Sequence, residues 1–278
     1  MARILFIRNF MLKDYFSYND GKDVTNSAFR ISASKVSDFF DRTSAWYHEH
    51  LLGEGGFQGS TASELGTVVH AGLEMQTLEG VVHHDAIEEY VMSIKNDEVD
   101  KQEILDAYPP MLAAGLEYLE RNPQEIVEEF VFHEILPGIG AGGSIDARRP
   151  RIITDWKTTS AKTAPTKFSR AYWFQQMTYA WVLKQKGVNI EYLKLVYITK
   201  ADINRVSEKT GKPLKDYPSV VTEVIEEVTE EKLELIGSCL RLIAESVQLW
   251  ADRPDLRHIL AQDMRLKPKP KPITFNKE

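Results

Sequence analysis

Ile152-Ile153-Thr154-Asp155-Trp156-Lys157-Thr158-Thr159 opens on β-branched residues and turns polar along its length. Such a run, following the turn residue Pro150, predicts a strand over Arg151 to Thr158. Alternate strand residues share a face, so Asp155 and Lys157 point one way and Trp156 the other. Just upstream, Gly140 to Ala147 predicts a second strand, joined tightly through Arg148-Arg149-Pro150, and this hairpin brings Asp146 near Asp155. Small residues in Gly143-Ser144-Ile145-Asp146 allow backbone or substrate to approach closely. Two facing carboxylates repel unless a cation lies between them, and hard oxygen ligands suit Mg²⁺ or Mn²⁺. On spacing alone, the three residues fit a surface ion pair, with Lys157 the partner of two hairpin carboxylates, as readily as a metal site.

Further out, Ile126 to Leu136 is rich in Val, Ile and Phe and stops at Pro137-Gly138, which reads as a strand. Downstream, a long helix is expected from about Phe168 to Lys186, stopped by Gly187. Tyr192 to Thr199 alternates as a fourth strand, Ser219 to Val228 is a further strand candidate, and Glu230 to Trp250 is a helix. Upstream, Lys35 to His50 has helical spacing in Val36, Phe39, Phe40 and Trp46-Tyr47, with Ser32 or Ser34 as N-cap. After the glycine-rich loop Gly53 to Gly59, Thr61-Ala62-Ser63-Glu64 fits a capping box, and Leu65, Val68, Val69, Gly72 and Leu73 follow at core-facing spacing. Asp85 to Arg121 reads as two helices broken or bent near Pro109-Pro110. Strands followed by a helix and another strand, wrapped by extra helices, predict an α/β or α+β domain with a central mixed sheet.

This organisation predicts one domain over residues 31–264, with its core at about 60–200. Residues 1–30 stay unassigned beyond a turn at Asn19-Asp20-Gly21 and an opening strand, and the Lys/Pro-rich tail 265–278 can hold neither helix nor sheet. With 278 residues, 43% of them hydrophobic, the chain can bury a substantial core. No apolar run spans a bilayer and the charged start Met1-Ala2-Arg3 is unlike a signal peptide, so a cytoplasmic protein without membrane association is expected. The single cysteine, Cys239, cannot supply a disulfide or an iron-sulfur cluster and is expected to be buried and inert. The net charge of -7 argues against a polyanionic partner, but the sign is unevenly spread. From Arg148 to Lys186, nine basic residues face Asp155 alone. His48, His50 and the pair His83-His84 read as surface histidines, and the glutamates Glu74, Glu128, Glu129 and Glu134 as carboxylates with no role fixed by spacing.

Four short motifs occur in order: Gly66-Thr67-Val68-Val69-His70, Gly143-Ser144-Ile145-Asp146, Asp155-Trp156-Lys157-Thr158 and Gln175-Gln176-Met177-Thr178-Tyr179. Together they resemble the PD-(D/E)XK nuclease superfamily, and within it the RecB-like nucleases, over roughly residues 31–199. Each is weak alone; four in this order are specific.

The resemblance implies a restriction-endonuclease-like core and a Mg²⁺- or Mn²⁺-dependent deoxyribonuclease. It implies His70, Asp146, Asp155 and the backbone carbonyl of Trp156 as metal ligands, Lys157 as the catalytic lysine, and Gln175 with Tyr179 beside the reacting group, Gln176 being the alternative to Gln175. Arg148, Arg149, Arg151, Lys162, Lys167 and Arg170 flank this set and are expected to track a phosphate backbone, with Tyr172, Trp173 or Phe174 stacking on a base or packing in the core. The expected partners are DNA, as a linear or single-stranded end, and a recombination protein. A stand-alone exonuclease of recombination or repair, of phage type, is the leading reading. The alternatives are a structure-specific endonuclease and a catalytically silent nucleic-acid-binding subunit.

Overall fold

The computed structural model describes residues 29–51, 59–203, 206–207 and 209–253. The expectations for residues 1–28, for most of the glycine-rich loop and for the Lys/Pro-rich tail lie outside the described residues. In chain order the elements begin β1 (Phe29–Ser32), α1 (Val36–Asp41), α2 (Thr43–Trp46), α3 (Thr61–Glu79), α4 (His84–Ser93) and α5 (Lys101–Arg121). They continue β2 (Ile126–Leu136), β3 (Ile139–Arg149), β4 (Ile152–Thr159), α6 (Arg170–Gln185), β5 (Tyr192–Thr199), β6 (Val221–Glu227) and α7 (Glu230–Asp252).

The sheet is mixed, as expected. β2 and β3 form an antiparallel hairpin, turned at Gly138, whose φ of +78° a glycine adopts without strain. β4 returns antiparallel to β3, α6 crosses over to β5 parallel to β4, and β6 closes the far edge antiparallel. β3 carries the organising feature. β2 runs along one of its edges from Ile139 to Arg148, so its other partners must share the opposite edge. There β1 pairs in parallel with Ile139 to Gly142, and β4 pairs only with Ala147 to Arg149. Between these ladders Gly143 to Asp146 has no strand partner on that edge.

Helices cover both faces. One core cluster, with Ile31, Trp46, Ile145, Ile153, Met177, Leu240 and Trp250, joins the sheet to α6, α7 and the segment after β1. The other, with Val69, Leu73, Met111, Leu112, Trp156 and Val196, joins it to α3, α4 and α5. Neighbours in β4 thus serve opposite clusters, as strand alternation requires. β5 is buried on both faces beyond Tyr192, because it lies inside a sheet covered on each side. Among the described residues no helix is long and apolar enough to cross a membrane.

Several local expectations need correction. The segment after β1 is not one helix to His50: it breaks at Arg42 and ends in a wide turn, Tyr47–Leu51. That turn buries His48 beside Tyr47, so His48 is no surface histidine. Helix α3 is capped by Ser60, not Thr61: Ser60 accepts the Ser63 N–H at 3.2 Å, and Ser63 Oγ accepts the Ser60 N–H at 2.8 Å. The break between α4 and α5 falls at Ile94 to Asp100, while Pro109 and Pro110 lie inside α5. Burial of Tyr108, Met111 and Leu112 on either side of the prolines outweighs the missing donors. Cys239 is partly buried against the first core cluster.

Candidate active site

Asp146 lies at the end of the unpaired stretch of β3, and the backbone ladder to β4 has stopped beside it. Its side chain takes over: Oδ2 accepts the Trp156 N–H at 2.9 Å. Helix α3 closes on the same point. His70 Nδ1 lies 3.5 Å from Asp146 Oδ2, and the ring also bonds the backbone of Trp156. A Cβ on Gly66, one turn before His70, would lie 3.3 Å from Thr158 Oγ1, so this glycine lets the helix sit close to β4. On the α6 side, a Cβ on Gly143 would meet Tyr179 Oη at 3.1 Å. The small residues of both motifs are therefore clearances between a helix and the strand it packs against.

Asp155 is almost fully buried. Its Oδ1 accepts a hydrogen bond from Gln176 Nε2 at 2.8 Å, and Oδ2 ion-pairs with Lys157 Nζ at 2.5 Å and has no further partner. Gln175 donates to Tyr179 Oη at 3.5 Å, a long contact. The two glutamines thus divide the work, Gln176 holding the carboxylate and Gln175 the tyrosine. Lys157 Nζ also lies 4.9 Å from the Tyr172 ring centroid. Of the three neighbouring aromatics, Phe174 is buried, Trp173 packs against the core, and Tyr172 stands beside Lys157.

The electrostatics report an excess of negative charge. Burial, with Lys157 opposing, pushes Asp155 up to about 6. Burial raises Asp146 as well. Glu74 rises to about 7 through burial and then the charge of Asp146. Glu128 shifts upward in the same sense through burial, Asp146, Glu74 and Asp155, although much of its side chain meets solvent. Burial works to lower Lys157, but Asp155 and Asp146 outweigh it, so the amine stays an ammonium. Burial pushes His70 down to about 4, leaving a neutral imidazole at pH 7, the form that ligates metal.

Glu74 and Glu128 are the acidic residues that spacing left unassigned. Glu128 faces Asp146 across the hairpin, between the pairs Val127↔Ala147 and Glu129↔Ile145, and holds the left-handed φ of +49°. For a residue other than glycine that backbone is strained. Among the described residues, no three His, Cys, Asp or Glu side chains form a ready coordination set. The donor chemistry nonetheless fits a divalent cation: surplus buried carboxylate, a carboxylate oxygen with Lys157 as its only partner, and a neutral histidine. The basic residues separate into two groups. Arg148 pairs with Glu129 and Arg151 with Glu191 at the hairpin end of β4, with Arg149 between them. Lys162, Lys167 and Arg170 lie beyond the other end, where Lys162 pairs with Asp202 at 3.3 Å and Arg170 with Asp41.

A sequence model described as the PD-(D/E)XK nuclease superfamily matches residues 30–268. No curated protein matches the chain in sequence at a significant level. Among solved structures, a candidate exonuclease from Eubacterium rectale is similar at a TM-score of 0.55 and 14% identity, covering 96% of this chain and 97% of that one. A phage-related exonuclease from Haemophilus somnus is similar at a TM-score of 0.43 and 13% identity, covering 82% and 98%. An alkaline exonuclease from Laribacter hongkongensis gives 0.39 and 11%, covering 87% and 97%. The first of these shares the fold.

Proposed function

We propose that this chain, which belongs to the PD-(D/E)XK nuclease superfamily, is a RecB-like deoxyribonuclease that hydrolyses phosphodiester bonds from a DNA end, in recombination or repair. The observation that carries the reading is the meeting of Asp146, Asp155, Lys157 and His70 at the unpaired stretch of β3. Residues 31–264 are proposed as its single nuclease domain, and a cytoplasmic setting is proposed with it.

Nucleases of this superfamily use divalent metal ions. We assign Mg²⁺ or Mn²⁺ to His70, Asp146, Asp155 and the Trp156 carbonyl, with Glu74 and Glu128 as further carboxylates within reach of the same field. Bound there, the ion would supply a more acidic water and offset charge on the phosphoryl oxygens. The protein's own groups do the rest. Gln176 fixes Asp155 in one orientation. Lys157, held as an ammonium by Asp155 and Asp146, orients water and stabilises negative charge developing at the phosphate; a protonated amine cannot be the base. Gln175 and Tyr179 hold the α6 side of the site. Arg148, Arg149, Arg151, Lys162, Lys167 and Arg170 are proposed phosphate contacts.

End-labelled linear, circular, single- and double-stranded DNA incubated with each metal tests the reading. Degradation of linear DNA alone is expected, and loss of it in Lys157→Ala. Cleavage of circles would instead make the protein an endonuclease, and intact DNA with both metals would overturn the enzyme assignment. The second reading is a catalytically silent nucleic-acid-binding subunit. Calorimetric titration of Mn²⁺ separates the two, since the nuclease must bind it.

A further inference from the structure

The connection from β5 to β6 does not turn back directly. It runs out and returns as a hairpin tied by two isolated bridges, Asp202↔Tyr217 and Val206↔Pro213. The Asp202 N–H donates to the Tyr217 carbonyl at 2.8 Å and the Tyr217 N–H to the Asp202 carbonyl at 3.0 Å, while the Ser207 N–H donates to the Lys212 carbonyl at 2.8 Å. Its turn is set by Gly211 at φ +63°. No described residue of this hairpin belongs to a core cluster, and Ile203, Val206 and Leu214 are all exposed. Burial therefore does not explain why it is there.

Its root is tied to the active-site end of the sheet. β4 and β5 are parallel and end in register at Thr159↔Thr199, two residues beyond Lys157, and the Lys200 N–H donates to the Thr159 carbonyl at 2.7 Å. Lys162, in the loop leaving β4, reaches across to Asp202 at 3.3 Å and lies 4.5 Å from the Tyr217 ring centroid, with Lys215 on the same ring at 5.2 Å. The loop leaving the strand that carries Lys157 thus anchors the hairpin through Lys162. Its tip lies at the turn of Gly211, beyond the second bridge. Lys209 and Lys212 flank that tip and Lys215 lies nearer the root; all three are exposed, and among the described residues none of them pairs with a carboxylate. A chain of net charge -7 repels a polyanion except where basic groups project from it.

We propose that this hairpin is an arm that lies along duplex nucleic acid beside the bond being cleaved, with Lys209, Lys212 and Lys215 against its phosphates. The proposal rests on the nuclease reading and specifies how that site holds a double strand. A two-stranded ribbon has the width that a major groove admits, whereas a single strand offers no groove for it.

The test is fluorescence anisotropy with a labelled 30-base-pair duplex, in EDTA, across a salt series, using wild type and the triple variant Lys209→Gln/Lys212→Gln/Lys215→Gln. Affinity in the variant should fall about tenfold or more, and the slope of log K against log salt should shrink by roughly 0.9 for each lost contact. The triple Lys→Arg variant should restore both, which a change in folding would not produce. An unchanged slope and affinity in a variant of wild-type melting temperature would overturn the arm, and an equal loss on a single-stranded probe would overturn its assignment to duplex. Cleavage by the wild type in Mg²⁺ is scored in parallel: cleavage with an unchanged slope removes the arm alone, whereas wild type that neither binds nor cleaves removes the nuclease reading beneath it.

Discussion

Two groups of charge, each built around a buried residue, lie one strand apart in this sheet and behave in opposite ways. On β5, in register with Thr154 of β4, Lys194 donates to Glu223 of β6 at 2.7 Å and to Tyr118 of α5 at 3.2 Å. Tyr118 also bonds Glu223, and its ring packs edge-on against Trp156 at 5.6 Å. Burial works against the Glu223 carboxylate, yet Lys194 and Tyr118 hold it below its ordinary value. That cluster is neutralised within itself. Around Asp146 gather Glu128 and Asp155 of the same sheet and Glu74 of α3 against one ammonium, and these acids are pushed upward. A matched buried cluster serves the fold, and a surplus marks a place prepared for a charge from outside.

The contrast can be broken at either end. The largest effect should come from Asp155→Asn, which removes one surplus carboxylate. Cleavage of linear duplex should fall by about 10²–10³-fold or more, with the metal-free melting temperature held or raised. A variant that keeps its activity would end the assignment of this cluster to catalysis. The reverse is expected of Lys194→Met, which leaves Glu223 beside Tyr118 without its cation. Urea unfolding should show a loss of about 1–3 kcal/mol, while the folded fraction still cleaves. Should that variant lose activity without losing stability, the two clusters are not different in kind.

The smallest effect sharpens the contrast through pH. Glu74 is raised to about 7, so the native state holds a proton there that the unfolded chain has already released. The stability it contributes is full below its unfolded value and is lost as pH rises through 7. His70 acts oppositely, but only between its lowered value of about 4 and its ordinary 6.5. From pH 6.5 to 8 the metal-free protein should therefore melt progressively lower. Added Mg²⁺ should flatten the slope, and Glu74→Gln should reduce it without metal, with Glu128, raised to about 8, supplying the remainder. A slope of the other sign would show that the cluster does not carry excess negative charge.

Much of this was legible in the chain. β2, β3, β4 and β5 follow the predicted runs within a residue or two, because β-branched stretches bounded by Pro150 or Pro137-Gly138 have few other uses. The tight return after Arg149 was enough to bring Asp146 and Asp155 together. The cap at Ser60 was missed on local grounds, but the larger failures share one cause, which is contact distant in sequence. Pro109 and Pro110 break a helix by local rules, and packing by Tyr108, Met111 and Leu112 holds it intact. Glu74 reads as a solvated helix carboxylate until a strand some seventy residues away brings Asp146 to it. Glu128 could not be placed by counting: a turn at Pro137-Gly138 alone sets it opposite Ala147, and the register shift between Glu134 and Leu136 moves it opposite Asp146. Nothing local distinguishes Gln175 from Gln176, and only the helix's rotation against β4 assigns Gln176 to Asp155.

The unpaired stretch of β3 has a consequence for how such a protein can change over generations. On the edge it shares with β1 and β4, no ladder bond crosses beside Gly143 to Asp146, while β2 holds the other edge, so the strand stays paired whatever side chain stands at Asp146. Scaffold and chemistry are inherited on separate terms: lineages can retune the pocket while keeping the sheet.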